Sequence, residues 1–267
     1  MRRFSRRLLA IIVVPLVLSC NGLPTQPSDL SSTGSSVTPL VGAMSNTAGA
    51  AAATAGFISL PFDPNNFVRA VDNRFFPLLP GTRYVYQGEE DGEIETNITI
   101  VTHDRKTILG ISAIVVFDRV FVHGELKEKT FDWYAQDKDG NVWYLGEDTR
   151  EFEDGKVVST EGSWEAGKQG AKAGIIMLAH PQIADTYRQE FLQGEAEDVA
   201  RVVDRGLDVT VPYGSFHNCL KTAEFTRLEP DVKESKDFCP GVGFVKAHGV
   251  EGPATHLVLT AITESKL

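Results

Sequence analysis

The sequence is short of the residue patterns that carry most familiar chemistry. It has three cysteines in 267 residues, none in a Cys-x-x-Cys pair, so neither a metal knuckle nor a thioredoxin-like redox motif is present. Its six histidines, His103, His123, His180, His217, His248 and His256, never recur at the spacing of a zinc ligand pair. Ser215 stands in Tyr213-Gly214-Ser215-Phe216, which lacks the Gly-x-Ser-x-Gly elbow of a strand-to-helix nucleophile. No glycine loop is built to cradle a phosphate. Lys and Arg, 26 in all, are outnumbered by 36 Asp and Glu, which excludes a charge-driven nucleic-acid interface. These absences leave no catalytic constellation, no resident metal and no cofactor to expect. A site assembled from separate strands would escape such a scan; His217, His248 and His256 are the trio that C-terminal strands could bring together.

Long apolar runs are scarce too, with one exception. Arg2, Arg3, Arg6 and Arg7 precede an apolar stretch from Leu8 to Leu18, followed by Ser19-Cys20. A basic start, a short apolar run and a small residue at the cut describe an export signal too short to span a bilayer as a mature helix. Val17-Leu18-Ser19-Cys20 resembles the bacterial lipobox, in which the cysteine is acylated and becomes the new N-terminus. An ordinary secretory signal with an incidental cysteine is the alternative. Ser5-Arg6-Arg7-Leu8-Leu9 also partly matches a twin-arginine export signal. The expected partner is therefore a membrane, held through acyl chains on Cys20, and the expected location is the cell envelope, at the outer membrane or the cell surface. Residues 1–20 contain no Asp or Glu, so their removal takes away four Arg and shifts the formal charge from −10 to −14.

Residues 21–56 are mostly Ser, Thr, Gly, Ala and Pro, a composition that cannot bury enough surface to offset ordering entropy. They read as an unfolded tether with a root-mean-square span of roughly 33 Å. Residues 57–267 then form one domain, large enough for a core of its own.

Within that domain, strands alternate with turn signals. Glu93 to Thr102 places Ile94, Ile98 and Ile100 on one parity and Glu95, Asn97 and Thr99 on the other. Lys106 to Val122 reads as one long strand with a bulge at Gly110, turned by His123-Gly124; Lys129–Gln136 and Asn141–Gly146 are aromatic-rich; Glu153-Asp154-Gly155-Lys156 makes a hairpin turn. Helix is scarce. In Pro181–Leu192, Ile183, Tyr187 and Phe191 recur at helical spacing, while Tyr187, Gln189 and Phe191 equally suit a strand. The expected fold is all-β: one curved antiparallel meander of about ten strands forming a half-barrel or lipocalin-like cup.

Asn73-Arg74-Phe75-Phe76-Pro77-Leu78-Leu79-Pro80-Gly81-Thr82 is too rich in Pro and Gly for a helix, and Phe75, Phe76 and Leu78 read as a plug for one end of the sheet. With the later Val211-Pro212-Tyr213-Gly214-Ser215-Phe216 and Pro240-Gly241-Val242-Gly243 runs, it resembles a group of exported bacterial β-rich lipoproteins of unknown function. The resemblance spans most of residues 65–265 and implies a β-rich exported domain, with no activity to carry over.

Cys219 and Cys239 lie equally far from Glu229 up two arms that reverse at Glu229-Pro230-Asp231. Antiparallel pairing would put them opposite each other, with Lys221 facing Asp237 favourably and Glu224 facing Glu234 unfavourably. A disulfide, a free buried pair, and a redox or metal pair are the alternatives. Asp137-Lys138-Asp139-Gly140-Asn141 starts like a calcium loop, but Val142 stands where that loop needs Gly, so a hairpin turn is the plainer reading. Carboxylates at Glu89, Glu90, Asp91, Glu93, Glu151, Glu153 and Asp154 cluster at turns, where they are solvated. Phe131, Trp133, Tyr134, Trp143 and Tyr144 cannot all enter one core from strands whose side chains alternate. They mark either a ligand-binding concavity or a sheet packed on both faces.

The expectation is an envelope-anchored, non-catalytic lipoprotein binding an apolar ligand or an envelope protein. The alternatives are a hydrolase or metal-dependent enzyme built from separate strands, and a structural protein of envelope assembly. In cell fractionation, Cys20→Ala is expected to move the protein from membranes to the soluble fraction; unchanged retention in membranes would contradict acylation at that residue.

Overall fold

In a computed structural model the described residues are 57–264; the export signal with Cys20 and the tether 21–56 lie outside them. Four dipeptides ending in glycine reverse the chain. Asp91-Gly92, Leu109-Gly110, His123-Gly124 and Asp154-Gly155 all have φ between +48° and +88°, the geometry of a tight hairpin turn whose twist matches that of paired strands. They delimit β1 (Thr82–Glu90), β2 (Glu93–Ile108), β3 (Ile111–Val122), β4 (Glu125–Asp137) and β5 (Val142–Glu153), with Asp137–Asn141 turning β4 into β5. Leu109-Gly110 corrects the reading of 106–122 as one strand: Ile108 pairs with Ile111, so the glycine makes a hairpin and not a bulge.

The remaining longer strands are β6 (Lys172–Met177), β7 (Val199–Val211), β8 (Gly214–Phe225), β9 (Lys233–Cys239), β10 (Gly243–Glu251) and β11 (Thr255–Glu264). The eleven pair in the order β6-β5-β4-β3-β2-β1-β11-β10-β9-β8-β7, every neighbour antiparallel. Two meanders are thus joined where the C-terminal strand returns to the first. Short strands extend the sheet, and one of them, Phe57–Ile58, runs parallel to Thr186–Arg188.

The domain is nearly all β; the only helical turn among the described residues is Pro64–Asn66, capped by the Asp63 side chain. Pro181–Leu192 holds no helix. It contributes Thr186–Arg188, paired with β7, and Glu190–Phe191, paired with β6. This large mixed sheet does not close into a barrel, because its two flanks meet only through that broken segment. Gly174 of β6 permits the approach, since a Cβ there would stand 2.1 Å from the Gln189 carbonyl oxygen.

The hairpin of β8 and β9 takes the register expected of its cysteines. Lys221 pairs with Asp237 and Glu224 with Glu234, the Val232 N–H donates to the Glu229 carbonyl across the turn, and Cys219 and Cys239 form a disulfide. A bond closing this loop contributes about 3 kcal/mol in the chain-entropy model. Reduction, or the Cys219→Ala/Cys239→Ala pair, is expected to lower unfolding free energy by that order in denaturant titration while leaving the far-ultraviolet spectrum intact. No loss of stability would show that the β8–β9 pairing already fixes the loop.

Candidate functional site

One face of the curved sheet is concave, and side chains from most of its strands converge on it: Tyr84 and Tyr86 from β1, Thr99 from β2, Tyr134 from β4, Ile176 from β6, Glu224 from β8, Lys236 from β9 and Phe244 from β10 all line one cavity. The composition of this inner face is unusual. Along β2 the buried parity is Glu95, Asn97, Thr99 and Val101, while Ile94 on the other parity is 63% exposed. The polar side faces inward.

Hydrogen bonds make that burial tolerable. Thr99 faces Asp118 on β3, which faces Thr130 on β4, which faces Thr149 on β5. Thr99 Oγ1 donates to Asp118 Oδ2 at 2.7 Å and Asn97 Nδ2 donates to Asp118 Oδ1 at 2.6 Å. Thr130 Oγ1 donates to Glu128 Oε1 at 2.9 Å and shares a second hydrogen bond with Thr149 at 2.6 Å. Further along, Asp132 stands opposite Glu147, Tyr144 Oη donates to Asp132 Oδ1 at 2.6 Å, and the Tyr134 and Tyr144 rings stack at 4.8 Å. Asp132 Oδ2 and Glu147 Oε1 have no hydrogen-bond partner among the described residues.

Charge is suppressed here. Burial, then repulsion from Glu190, Asp132 and Glu128, holds the Glu147 carboxyl well above the usual range. Burial likewise raises Glu190, with Asp198 adding to it. It raises Asp132 as well, although the Tyr144 hydroxyl pulls that group part of the way back. Burial pushes Glu95 up to about 9 and Glu128 to about 8. Asp118 rises only to about 6, because its hydrogen bonds from Thr99 and Asn97 oppose its burial.

One buried cation answers these acids. Lys236 Nζ lies 2.7 Å from Glu224 Oε2 and 3.4 Å from Glu234 Oε2. Burial disfavours its charge, but the two carboxylates outweigh burial and its pKa rises. Burial lifts Glu234 to about 7, with Lys236 pulling the other way. The Glu224–Glu234 pairing that looks repulsive in the register is thus bridged by the lysine two residues further along β9.

The plug motif closes one end of the concavity. Asn73 Oδ1 accepts from the Phe75 and Phe76 N–H groups at 2.9 and 3.2 Å, and its Nδ2 donates to the Gly140 and Leu178 carbonyls at 2.8 and 3.1 Å. Gln136 Oε1 accepts from the Asp72 and Asn73 N–H groups. Phe75, Phe76 and Leu78 are buried as a result. Gly241 N–H donates to the Arg74 carbonyl at 2.8 Å, so the Pro240–Gly243 turn rests on the plug.

Between them lies a cavity of about 50 Å³ with aromatic walls, Phe76, Tyr84, Tyr86, Tyr134, Phe238 and Phe244, and polar groups from Thr99, Gln189, Glu224 and Lys236. Gln189 is 1% exposed and its Oε1 has no hydrogen-bond partner among the described residues.

Of the five aromatics expected to mark a concavity, Tyr134 lines the cavity and Tyr144 stacks beneath it. The other three face the opposite side: Lys106 Nζ sits 3.1 Å over the Trp133 ring, Trp143 packs edge-on against Phe62, and Phe131 stacks on Phe117. Asp137–Asn141 is a hairpin turn, with Asp137 Oδ1 accepting from Asn141 N–H and Oδ2 from the Trp143 indole. His248 and His256 are cross-strand partners, whereas His217 bonds Asp208 instead of joining them. No group of three His, Cys, Asp or Glu with metal-binding geometry occurs among the described residues. The acids at turns, such as Glu89, Asp91 and Glu93, are exposed; the mid-strand acids are the ones sequence reasoning missed. Their signal was a carboxylate sharing parity with core residues, as Asp118 does with Val116 and Val120.

No protein-family model matches the chain, and no curated protein matches it. Among solved structures, a candidate lipoprotein from Parabacteroides distasonis ATCC 8503 superposes with a TM-score of 0.39 at 12% identity, over 72% of this chain and 99% of that one. A likeness at that level transfers neither fold nor role.

The inner carboxyls make stability depend on pH with a definite sign. Unfolded, they give up protons near pH 4; folded, Glu234, Glu128 and Glu95 keep them until about 7, 8 and 9. Their contribution is therefore complete below the unfolded pKa and is lost as pH rises through the folded values. Glu197 and Glu165, lowered by Arg227 and by Lys106 with Lys168, act oppositely and lose their contribution as pH falls below the usual carboxylate range. Unfolding free energy from denaturant titration is expected to peak near pH 4 and to fall by at least about 3 kcal/mol by pH 8. A profile that is flat or rising over that interval would mean the inner acids are ionised in the fold.

Proposed function

We propose that the chain is an envelope-anchored, non-catalytic lipoprotein: residues 1–20 are a lipoprotein signal peptide, Cys20 carries the acyl anchor, residues 21–56 are a tether, and the β domain of 57–267 binds a small ligand end-on beneath the Phe75–Leu78 plug. The outer membrane or the cell surface is the place this address suits.

The observation that carries the binding reading is the separation of apolar and polar surface around the cavity. Aromatic rings wall it, while Gln189, Glu224 and Lys236 meet its interior, the arrangement by which pockets bury an apolar body and orient it by a few polar groups. About 50 Å³ accommodates a few waters or the head of a ligand. The ligand's body would lie at the mouth, between Pro77-Leu78 and Val242–Phe244. Binding is favoured over hydrolysis because the chemical repertoire at the cavity is narrow: no histidine, cysteine or serine lines it. The acids nearby are engaged within the wall, Asp118 by Thr99 and Asn97 and Glu224 by Lys236.

Native mass spectrometry of the full chain extracted from its membranes is the test. A small-molecule adduct is expected on the wild type and should be lost from Leu78→Trp, whose indole would occupy the mouth. A wild type free of any adduct, with a melting temperature unchanged by small amphipathic compounds, would overturn the reading.

A further inference from the structure

The plug shapes a second concavity. Pro77 and Leu78, which line the aromatic cavity, also line an open groove of about 380 Å³ whose other walls include Val71, Leu79, Pro80 and Ile114. Two arginines, Arg69 and Arg105, line the same groove. We propose that it is a binding site for an oxyanion, a phosphate or carboxylate group carried on a short apolar body, with Arg69 and Arg105 holding the anion. The site is separate from the aromatic cavity and does not depend on the ligand proposed there.

The two cations are brought together from distant parts of the sequence. Arg69 follows Phe67–Val68, which pairs with Asp137 and Gln136 of β4, and it precedes Val71–Asn73, which pairs with Phe76–Leu78 of the plug. Arg105 ends a bulge in β2. Residues 102–104 bow out between the Val101–Val116 pair and the Arg105–Ile114 pair. Thr102 Oγ1 holds the bulge, donating to the Val115 carbonyl at 2.7 Å and accepting from the Asp104 N–H at 3.1 Å. Bulges of this kind re-aim a side chain out of the regular alternation, and Ile114, the cross-strand partner of Arg105, lies in the groove as well.

Nothing in the fold balances this pair of charges. Neither guanidinium has an ion-pair partner among the described residues. Arg105 Nη1 donates to the Ser112 carbonyl at 3.2 Å, which leaves four of its N–H groups to other acceptors. Burial, and after it the positive charge of Arg69, lower the Arg105 pKa. The carboxylate among the lining residues, Asp72, turns elsewhere, accepting from Gln136 Nε2 at 2.6 Å. Two like charges in one groove repel, and an anion between them reverses the sign of the interaction. Forked guanidinium donors match the oxygens of a phosphate or carboxylate, while Val71, Leu78 and Ile114 offer apolar surface to the rest of the molecule. An ammonium group of the same length would meet only repulsion.

The experiment titrates hexyl phosphate, hexanoate and hexylamine into the full chain in a non-ionic detergent at pH 7, read by calorimetry. The two anions are expected to bind, more weakly as ionic strength rises, and the amine is not. Arg69→Gln and Arg105→Gln should each weaken hexyl phosphate about tenfold, while Lys156→Gln, the same loss of charge at the Asp154-Gly155 hairpin turn, leaves it unchanged. Without ligand, both arginine variants should melt at or above the wild-type temperature, because a repulsion has been removed. Inorganic phosphate and dihexanoyl phosphatidylglycerol, added as competitors, separate a free anion from a lipid headgroup; displacement by either supports the site. Failure of hexyl phosphate to bind, displacement by neither competitor, or undiminished binding to both arginine variants would overturn the proposal. The last result would place the probe elsewhere and leave the aromatic cavity as a ligand site untouched.

Discussion

The structure depends on how carboxyl groups are kept inside a sheet. Lys236 is the clearest case. The disulfide and the turn at Glu229–Val232 fix a register that sets Glu224 against Glu234, and a pair of like charges directly opposed across strands is destabilising. Lys236, on the same face and opposite Thr222, reaches both carboxylates. A buried ion pair earns little stability against an apolar replacement, but removing one partner leaves the other charge stranded. The three side chains therefore form a unit that a shifted register would break apart.

Elsewhere on the inner face the same difficulty is met by protons and hydroxyls. Thr99, Asn97, Thr130 and Tyr144 each donate to a buried acid. At Glu147, burial and the neighbouring acids Glu190, Asp132 and Glu128 outweigh the Tyr144 hydroxyl and hold the carboxyl well above its usual range. The apolar core is correspondingly distributed: Val101, Ile114 and Val116 continue the inner wall, and Phe75, Phe76 and Leu78 seal it from the plug. The sheet thus presents a polar interior under an aromatic cap.

Much of the scaffold was legible because its signals are local. Asp-Gly and His-Gly dipeptides marked hairpins, and two cysteines equidistant from a Pro-containing turn marked a register. Leu109-Gly110 was missed because a leucine at φ +51° is an uncommon first turn residue. In 181–192 helical and strand periodicities overlap in Tyr187 and Phe191, and pairing with β6 and β7, which is non-local, decided for strand. The interior site was illegible for a deeper reason. Alternation along β2 says that two faces differ, not which one is buried, and apolar-in is the ordinary assignment. Only the convergence of Asp118, Glu128, Asp132, Glu147 and Glu190 from different strands shows that the polar parity is the inner one.

That inversion changes what the acidic composition means. The formal charge of −10 counts every carboxyl as ionised. Asp132, Glu147 and Glu190 are held well above the usual range, and Glu95, Glu128 and Asp198 at about 9, 8 and 8, so burial keeps these carboxyls largely protonated at neutral pH and the folded chain carries fewer negative charges than the formal count. The acids that do ionise, at turns such as Glu89, Asp91 and Glu93, are on the surface and account for solubility. The buried ones serve a different end: they give the interior hydrogen-bonding groups, and protons it can release, without adding charge to the exterior. Acceptors inside and charge outside are compatible in one acidic chain because burial separates the two sets of carboxyls.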